Sequence, residues 1–268
     1  MSPPRPRAPR PPRSLLREWP KLAPRLRRAR RRILLCDFDG TLAGMRRAPD
    51  AVHLAQSTRK LLERIRDAGS VVGVVSGRDL DDVAAHVGIP GLWYVGGHGN
   101  ELRSPEGRFV SLVSAADRRE VARAARWLRP RLAPLPGIRL DVKQASVAIH
   151  YRAAARQGKE RAREIMREAS RRTPGWRLLE GKKVWDLLPE RAADKWTAVQ
   201  RLLGKQPPFG PRFVAYLGDD LTDESVFRGM RGAVTVSVGR PRGSAARYSL
   251  RSVTEVRRFL RLWLRAAR

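Results

Sequence analysis

The sequence predicts an α/β fold, an open parallel sheet flanked by helices and interrupted by a smaller inserted α/β unit. Three observations carry that prediction. Short apolar runs alternate with amphipathic stretches at helical spacing at both ends of the chain. Several of those runs end in Asp, Ser or Gly. Between the two alternating regions lies a stretch of different pattern, punctuated by Pro130, Pro134, Pro136 and Gly137.

Ordered structure is expected from Ile33, where ILLCDF reads as a buried strand. Residues 54 to 68 carry apolar positions at helical spacing, and Gly69 stops the helix. VVGVV (71 to 75) is a second strand, LDDVAAHV a helix closed by Gly88, and LWYV (92 to 95) a third strand. Strand, helix, strand, helix, strand implies parallel pairing. The central unit is predicted as FVSLV (109 to 113), a helix around 116 to 129, SVAIHYR (146 to 152), a helix around 157 to 171, and KVWDLL (183 to 188). The first pattern then returns. It gives a helix at 194 to 203, strand FVAYL (213 to 217), a helix near 223 to 229, strand AVTVSV (233 to 238) and a last helix from Val253. The expected organisation is a basic tail over 1–32, a core over 33–105 and 190–268, and a cap over 106–189.

Composition bounds the function classes. The chain has 56 Lys+Arg against 26 Asp+Glu, a net charge of +30. Only eight of the basic residues are lysines, an arginine skew that GC-rich coding DNA also produces. Such charge attracts anionic substrates or polyanions, but it does not name a reaction. No zinc-finger spacing, RNA-binding signature or basic region with heptads is present. One cysteine, Cys36, rules out an internal disulfide and makes a reducing compartment, the cytoplasm, the expectation. No apolar run approaches the ~18 residues of a membrane span, and the N-terminal segment has no signal-peptide core. Its Pro/Arg bias predicts disorder. That tail is also a candidate arm for nucleic acid or anionic surfaces. The chain is expected to be a monomer.

The chemistry gathers at strand ends. In an open parallel sheet, ligands sit beyond the carboxyl ends of the strands. Strand ends here read Asp37-Phe38-Asp39-Gly40-Thr41, Ser76-Gly77-Arg78-Asp79, Gly96-Gly97-His98-Gly99 and Gly218-Asp219-Asp220. Any one of these could be a helix cap. Together on one edge they describe an active site. Asp37 and the Asp219 cluster would repel each other unless a cation joined them, and magnesium takes carboxylates, waters and phosphate oxygens as ligands. With charge so balanced, a carboxylate can attack phosphorus and form an aspartyl-phosphate. A second acid must protonate the leaving oxygen and later activate water. Asp37 and Asp39 suit those two roles, with Ser76 and a lysine on the remaining phosphate oxygens. Cysteine and histidine phosphatase motifs are absent, as is a Walker loop.

DFDGT after an apolar strand resembles the nucleophile motif of the haloacid dehalogenase superfamily. VVSGR resembles its second motif, and LGDDLTDESVF its metal motif; Lys195 best matches its motif lysine. Within that superfamily the chain looks most like the trehalose-6-phosphate phosphatases. The matching pieces are DFDGTL with Pro49 after it, SGRDLDDV, GGHGNELR, SVAIHYR, GKKVWDLLPERAADK and GDDLTDESVF, in the family's order. The resemblance implies a Rossmann-like core and a mobile cap of the C2 type. It implies a magnesium-dependent phosphatase acting on trehalose 6-phosphate.

Residue by residue, it implies Asp37 as nucleophile and metal ligand. Asp39 would be general acid/base and a ligand through its carbonyl, and Asp219 the third protein ligand. Asp220 and Asp223 would hydrogen-bond metal waters or Lys195. Thr41, Ser76 and Lys195 would bind phosphate, with Gly77 allowing close approach. Arg78 either reaches the substrate or caps the next helix. His98 and Glu101 would line the sugar pocket, or His98 serves only its turn. Lys182 and Asp186 fall where the family holds glucose hydroxyls. Glu224 is expected only to favour the N-terminus of its helix.

Two departures bear on specificity: the family usually has Glu at the position of Asp186, and glycine commonly follows the motif lysine where Trp196 stands. The alternatives are a phosphatase for another sugar phosphate, such as mannosyl-phosphoglycerate or sucrose phosphate, and a nucleic-acid-binding protein on the same scaffold.

Overall fold

A computed structural model describes residues 11–44, 52–181, 183–206, 210–239 and 243–268. The chain opens with a short strand β1 (Arg13–Ser14), helix α1 (Leu15–Arg28) and strand β2 (Arg31–Asp37). Next come α2 (Gln56–Asp67), β3 (Val71–Val75), α3 (Leu80–Val87) and β4 (Trp93–Gly96), then two short strands, β5 (Glu101–Arg103) and β6 (Phe109–Ser111). The central unit holds α4 (Ala115–Leu132), β7 (Arg139–Val142), β8 (Val147–His150), α5 (Arg156–Arg172), β9 (Trp176–Gly181) and β10 (Val184–Pro189). The chain then returns through α6 (Lys195–Gly204), β11 (Arg212–Gly218), α7 (Glu224–Gly229), β12 (Val234–Val238), β13 (Tyr248–Leu250) and α8 (Val253–Ala267).

The core sheet runs in the order β1-β13-β12-β11-β2-β3-β4-β5-β6. Pairing is parallel from β1 through β4 and antiparallel at β5 and β6. Alternation along β2 sorts its side chains to two layers: Leu34 and Cys36 pack with α1, α2 and α8, whereas Ile33 and Leu35 pack with α6 and α7. Both faces are therefore covered, which is why the central strands read as continuous apolar runs. The second sheet, β7-β8-β10-β9, is antiparallel. One face of it packs Val147, Ile149, Trp185 and Leu187 against α4 and α5. The alternate residues Ala148 and Asp186, paired across the sheet, lie on its other face.

Two expectations need correction. FVSLV, assigned to the cap, supplies β6, which pairs with β5 at the edge of the core sheet. With three residues, Phe109 and Val110 among them exposed, it is a short edge strand.

The expected disorder of 1–32 also fails for its described part; residues 1–10 lie outside the described residues. Leu15, Trp19, Leu22, Ala23 and Leu26 form a helical stripe, all buried. Pro20 and Pro24 sit inside that helix, each costing about 3 kcal/mol. Burial of each large apolar side chain contributes roughly 1.5–3 kcal/mol, so four of them outweigh two prolines. Trp19 meets Phe259 of α8 edge-on at 5.0 Å between centroids, which fixes the docking.

Candidate active site

β2 and β11 are neighbours, with Cys36 opposite Leu217, so the loops after them meet. One brings Asp37 to Thr41 and the other Asp219 to Asp223. Gly40 has φ +87°, and a Cβ there would overlap the Asp219 carboxylate. The two loops touch because that position carries no side chain. Carboxylate oxygens of Asp37, Asp219 and Asp223 lie within 4.8 Å of one another, a set able to hold a metal ion.

Lys195, the first residue of α6, reaches into this cluster. Its Nζ donates to Asp37 Oδ1 at 2.8 Å and to Asp223 Oδ1 at 2.7 Å. The Tyr216 hydroxyl donates to the same Asp223 oxygen at 2.7 Å. Asp223 Oδ2 accepts from the amides of Asp219 and Asp220 at 2.9 and 3.0 Å. Both oxygens of Asp223 are thus engaged in holding Lys195 and the loop, whereas Asp37 keeps a second oxygen for chemistry. Asp220 accepts from the Leu221 amide and starts the short turn before α7. Glu224 does more than favour a helix end. It accepts from the Ser244 hydroxyl and the Ala245 amide at 2.6 and 2.9 Å, tying α7 to the segment before β13.

Electrostatics follow from burial. Burial pushes the Asp37 carboxyl up, with Lys195 opposing and Asp223 and Asp219 adding to the rise. Burial disfavours charge on Lys195 too, but Asp223 and Asp37 outweigh it and hold its ammonium above the ordinary lysine value. Three carboxylates here face one ammonium, leaving a surplus of two negative charges that a dication would balance. The buried Thr41 hydroxyl, in the loop after Asp37, has no partner among the described residues. It is a donor left for a ligand oxygen. Burial raises the Cys36 thiol well above the usual range, so it is a packed strand residue and no nucleophile.

Asp39 is held differently. Arg78 Nε donates to its Oδ2 at 2.6 Å and Nη2 to its Oδ1 at 2.9 Å, a two-pronged clamp. The remaining nitrogen donates to Asp82 of α3 at 2.9 Å. Arg78 therefore ties Asp39 to α3 and fixes the orientation of its carboxylate. Ser76 Oγ accepts from the Arg78 amide at 3.1 Å and shapes the loop after β3.

The cap face closes over this edge. Lys143, in the turn between β7 and β8, donates to the Gly77 carbonyl at 3.0 Å and lies 3.7 Å from Asp186 Oδ1. His98 Nε2 lies 3.3 Å from Asp186 Oδ2 but out of line for a hydrogen bond. Its backbone is left-handed, φ 57°, which costs roughly 1–2 kcal/mol for a residue other than glycine. Its ring fills the space beside Gly77, where a Cβ would overlap it.

Burial resists ionisation of Asp186, yet Lys143 and His98 hold its carboxyl below the usual range. Ser146 donates to it at 3.3 Å. Glu101 is buried and accepts from the Leu80 amide at 3.1 Å, so it starts α3. Lys182 lies outside the described residues, as does Pro49. The sequence reading missed Lys143 and Asp141; the latter lies 3.6 Å from His150 Nε2 in the cap sheet. Their one signal was a charged pair before the alternating run SVAIHYR.

The trehalose-phosphatase family model matches residues 35–253, a span containing every described site residue. The chain belongs to the trehalose-phosphatase family. The trehalose-phosphate phosphatase of Mycobacterium tuberculosis (strain ATCC 25618 / H37Rv) is 37% identical over 239 residues, covering 86% of this chain and 61% of that protein. The Mycobacterium avium (strain 104) trehalose-phosphate phosphatase is 38% identical over 199 residues, 73% of this chain and 50% of the relative. This chain thus spans less than two thirds of the length of these relatives.

Among solved structures, the C-terminal domain of C. albicans trehalose-6-phosphate phosphatase superposes with a TM-score of 0.83 at 23% identity. It covers 97% of this chain and 99% of that domain. A haloacid dehalogenase-like hydrolase from B. subtilis follows the same fold at a TM-score of 0.59 and 15% identity, over 85% of this chain and 98% of that one. No helix among the described residues is long and apolar enough to cross a membrane.

Proposed function

We propose that the chain is a magnesium-dependent phosphatase that hydrolyses trehalose 6-phosphate to trehalose and phosphate through phospho-Asp37. The observation that carries this is the buried Asp37–Lys195–Asp223 cluster facing the Asp186 and Lys143 side of the cap, in a chain of the trehalose-phosphatase family. The donor set suits magnesium, all oxygen and carboxylate-rich. Asp37, the Asp39 carbonyl and Asp219 would hold the ion, with Asp220 and Asp223 behind it. When bound, the ion neutralises charge on the transferring phosphoryl group.

Asp37 attacks phosphorus with the oxygen that Lys195 does not hold, and the bond to the sugar oxygen breaks. Asp39 protonates that leaving oxygen. It then takes a proton from water, which attacks phosphorus and restores the Asp37 carboxylate. Asp39 is oriented for both steps by the Arg78 clamp. Lys195, Thr41 and Ser76 orient the phosphoryl oxygens, and Gly77 lets the backbone approach them. His98 and Asp186, with Lys143, face the sugar, and Glu101 supports that wall from beneath. Closure of the cap excludes bulk water. The enzyme works as a cytoplasmic monomer.

The Asp186 side chain, shorter than the family's usual Glu, favours one second reading: another sugar phosphate such as mannosyl-phosphoglycerate or sucrose phosphate. Phosphate release from a panel of these compounds, with magnesium and with a chelator, decides between them. Fastest magnesium-dependent release from trehalose 6-phosphate is expected. Release from a different sugar phosphate alone moves the substrate assignment, and chelator-insensitive release refutes the metal.

A further inference from the structure

The first turn of α3 carries two acids, Asp81 and Asp82. The plain expectation for both is a favourable charge at a helix N-terminus. They behave differently. Asp81 is exposed and pairs with Arg103 of β5. Asp82 faces the active site: its Oδ2 accepts from Arg78 Nη1 at 2.9 Å, on the same guanidinium whose Nε and Nη2 hold Asp39.

Asp82 has firm footing. Leu80 and Val83, on either side of it, are buried in the core and seat α3 there. The Leu80 amide is held in turn by Glu101. The second Asp82 oxygen, Oδ1, lies 3.1 Å from His86 Nδ1 one turn further on, and that nitrogen is also 2.8 Å from the Asp82 carbonyl. His86 stacks on His53 at 5.9 Å between centroids and meets the Phe38 ring edge-on at 6.2 Å. Arg78 lies over the same Phe38 ring at 5.5 Å. Phe38 stands between Asp37 and Asp39 in the chain and is fully buried.

An arginine side chain is long and rich in rotamers, so its fork holds one direction only where something fixes the guanidinium plane. Asp39 takes one edge of that plane, Asp82 the other nitrogen, and Phe38 lies against it. Without Asp82, Nη1 loses this acceptor, and the plane is free to turn about the Cδ–Nε bond and carry Asp39 with it. A misplacement of about 1 Å in a reacting group costs much of its effect.

We propose that Asp82 is a positioning residue for acid–base catalysis: through Arg78 it sets the direction in which the Asp39 carboxyl meets the leaving oxygen and then the attacking water. This role rests on the reaction proposed for Asp37 and Asp39. Among the described residues the Asp82 side chain pairs with Arg78 and His86, not with Asp37, Lys195 or Asp219. Its effect therefore falls on the proton transfers and spares the attack on phosphorus. The two separate by leaving group. A sugar alkoxide needs a proton as it leaves, whereas a nitrophenolate is stable as an anion and leaves without one.

The test compares trehalose 6-phosphate with 4-nitrophenyl phosphate on the full chain with magnesium, reading kcat/KM, which reports the steps up to the first phosphoryl transfer. Asp82→Ala should lower kcat/KM for trehalose 6-phosphate about tenfold or more, and that for 4-nitrophenyl phosphate less than about twofold. Asp82→Asn keeps an oxygen acceptor for Nη1 and should recover most of the loss. Added to Arg78→Met, Asp82→Ala should lower kcat/KM no further, because its effect passes through that arginine. Equal losses with the two substrates, as a damaged fold or metal site would give, overturn the role. So do additive losses with Arg78→Met, an Asp82→Asn as slow as Asp82→Ala, or an Asp82→Ala as fast as wild type on trehalose 6-phosphate. Wild type that cleaves 4-nitrophenyl phosphate but not trehalose 6-phosphate corrects the substrate alone, and the same comparison then decides on the sugar phosphate that it does cleave. Wild type that cleaves no phosphate ester refutes the phosphatase reading and this role together.

Discussion

The two sides of the proposed cleft are built on different terms. On the core side, Lys195, Asp37, Asp223 and Tyr216 are buried and joined by hydrogen bonds of 2.7 to 2.8 Å. Asp37 and Tyr216 stand on adjacent parallel strands, Lys195 starts α6, and Asp223 sits in the short turn between β11 and α7. On the cap side, Asp186 meets its partners at 3.3 to 3.7 Å through side chains from two segments, His98 after β4 and Lys143 and Ser146 in the turn between β7 and β8. One side is a tight, buried framework for charge; the other is a set of longer contacts between cap and core. Under the proposed function, the difference separates reaction chemistry, carried by the strand ends, from substrate choice, carried by the cap contacts.

Mutations can break that division. Asp37→Asn should lower phosphate release by about 10⁴-fold or more, because no other carboxylate can take its place; steady-state rates at saturating substrate check this. Lys195→Met leaves Asp37 and Asp223 buried without their cation. It should cut kcat by about 10²-fold or more and lower stability by about 3–5 kcal/mol. Thermal melts with and without magnesium read the second effect, and part of the loss should return when the dication is added. Lys143→Ala removes a link between cap and core, and should raise KM about tenfold while kcat changes little. A fall in kcat as large as that of Lys195→Met would erase the distinction between the two sides.

The smallest effect is on acid stability. Against its burial, Lys143 and His98 depress the folded-state pKa of Asp186. The unfolded chain then binds more protons than the folded one as pH falls below the ordinary Asp value of about 3.9. The stabilisation by ionised Asp186 is complete above that value and drains away as pH drops through the folded pKa. Wild type and Asp186→Asn should therefore differ in melting temperature at neutral pH and converge in acid.

The parallel core was legible because β2, β3 and β11 are apolar runs ended by Asp or Ser, and position alone then assembles the carboxylates. Lys195 could be matched by motif, but its two hydrogen bonds, to Asp37 and to Asp223, depend on how α6 docks. Three features were not legible. The stripe of α1 was hidden by proline and arginine, whose local preferences the buried Trp19 and its leucine neighbours override. β7 and β9 are the outer strands of the cap sheet, and their mixed polarity hid them. The Arg78 clamp on Asp39 joins residues 39 positions apart, a pairing that only the adjacency of β2 and β3 creates. Close sequence spacing told which groups share a strand end, and the packing decided which of them touch.

The central claim is that Asp37 carries the phosphoryl group. Rapid mixing of the magnesium-loaded protein with radiolabelled trehalose 6-phosphate, followed by acid quench and peptide mapping, tests it most directly. The account predicts a transient label, sensitive to hydroxylamine as acyl phosphates are, on the peptide containing Asp37, and no label or turnover in Asp37→Asn. Undiminished turnover in Asp37→Asn, or a label on another residue, would contradict it.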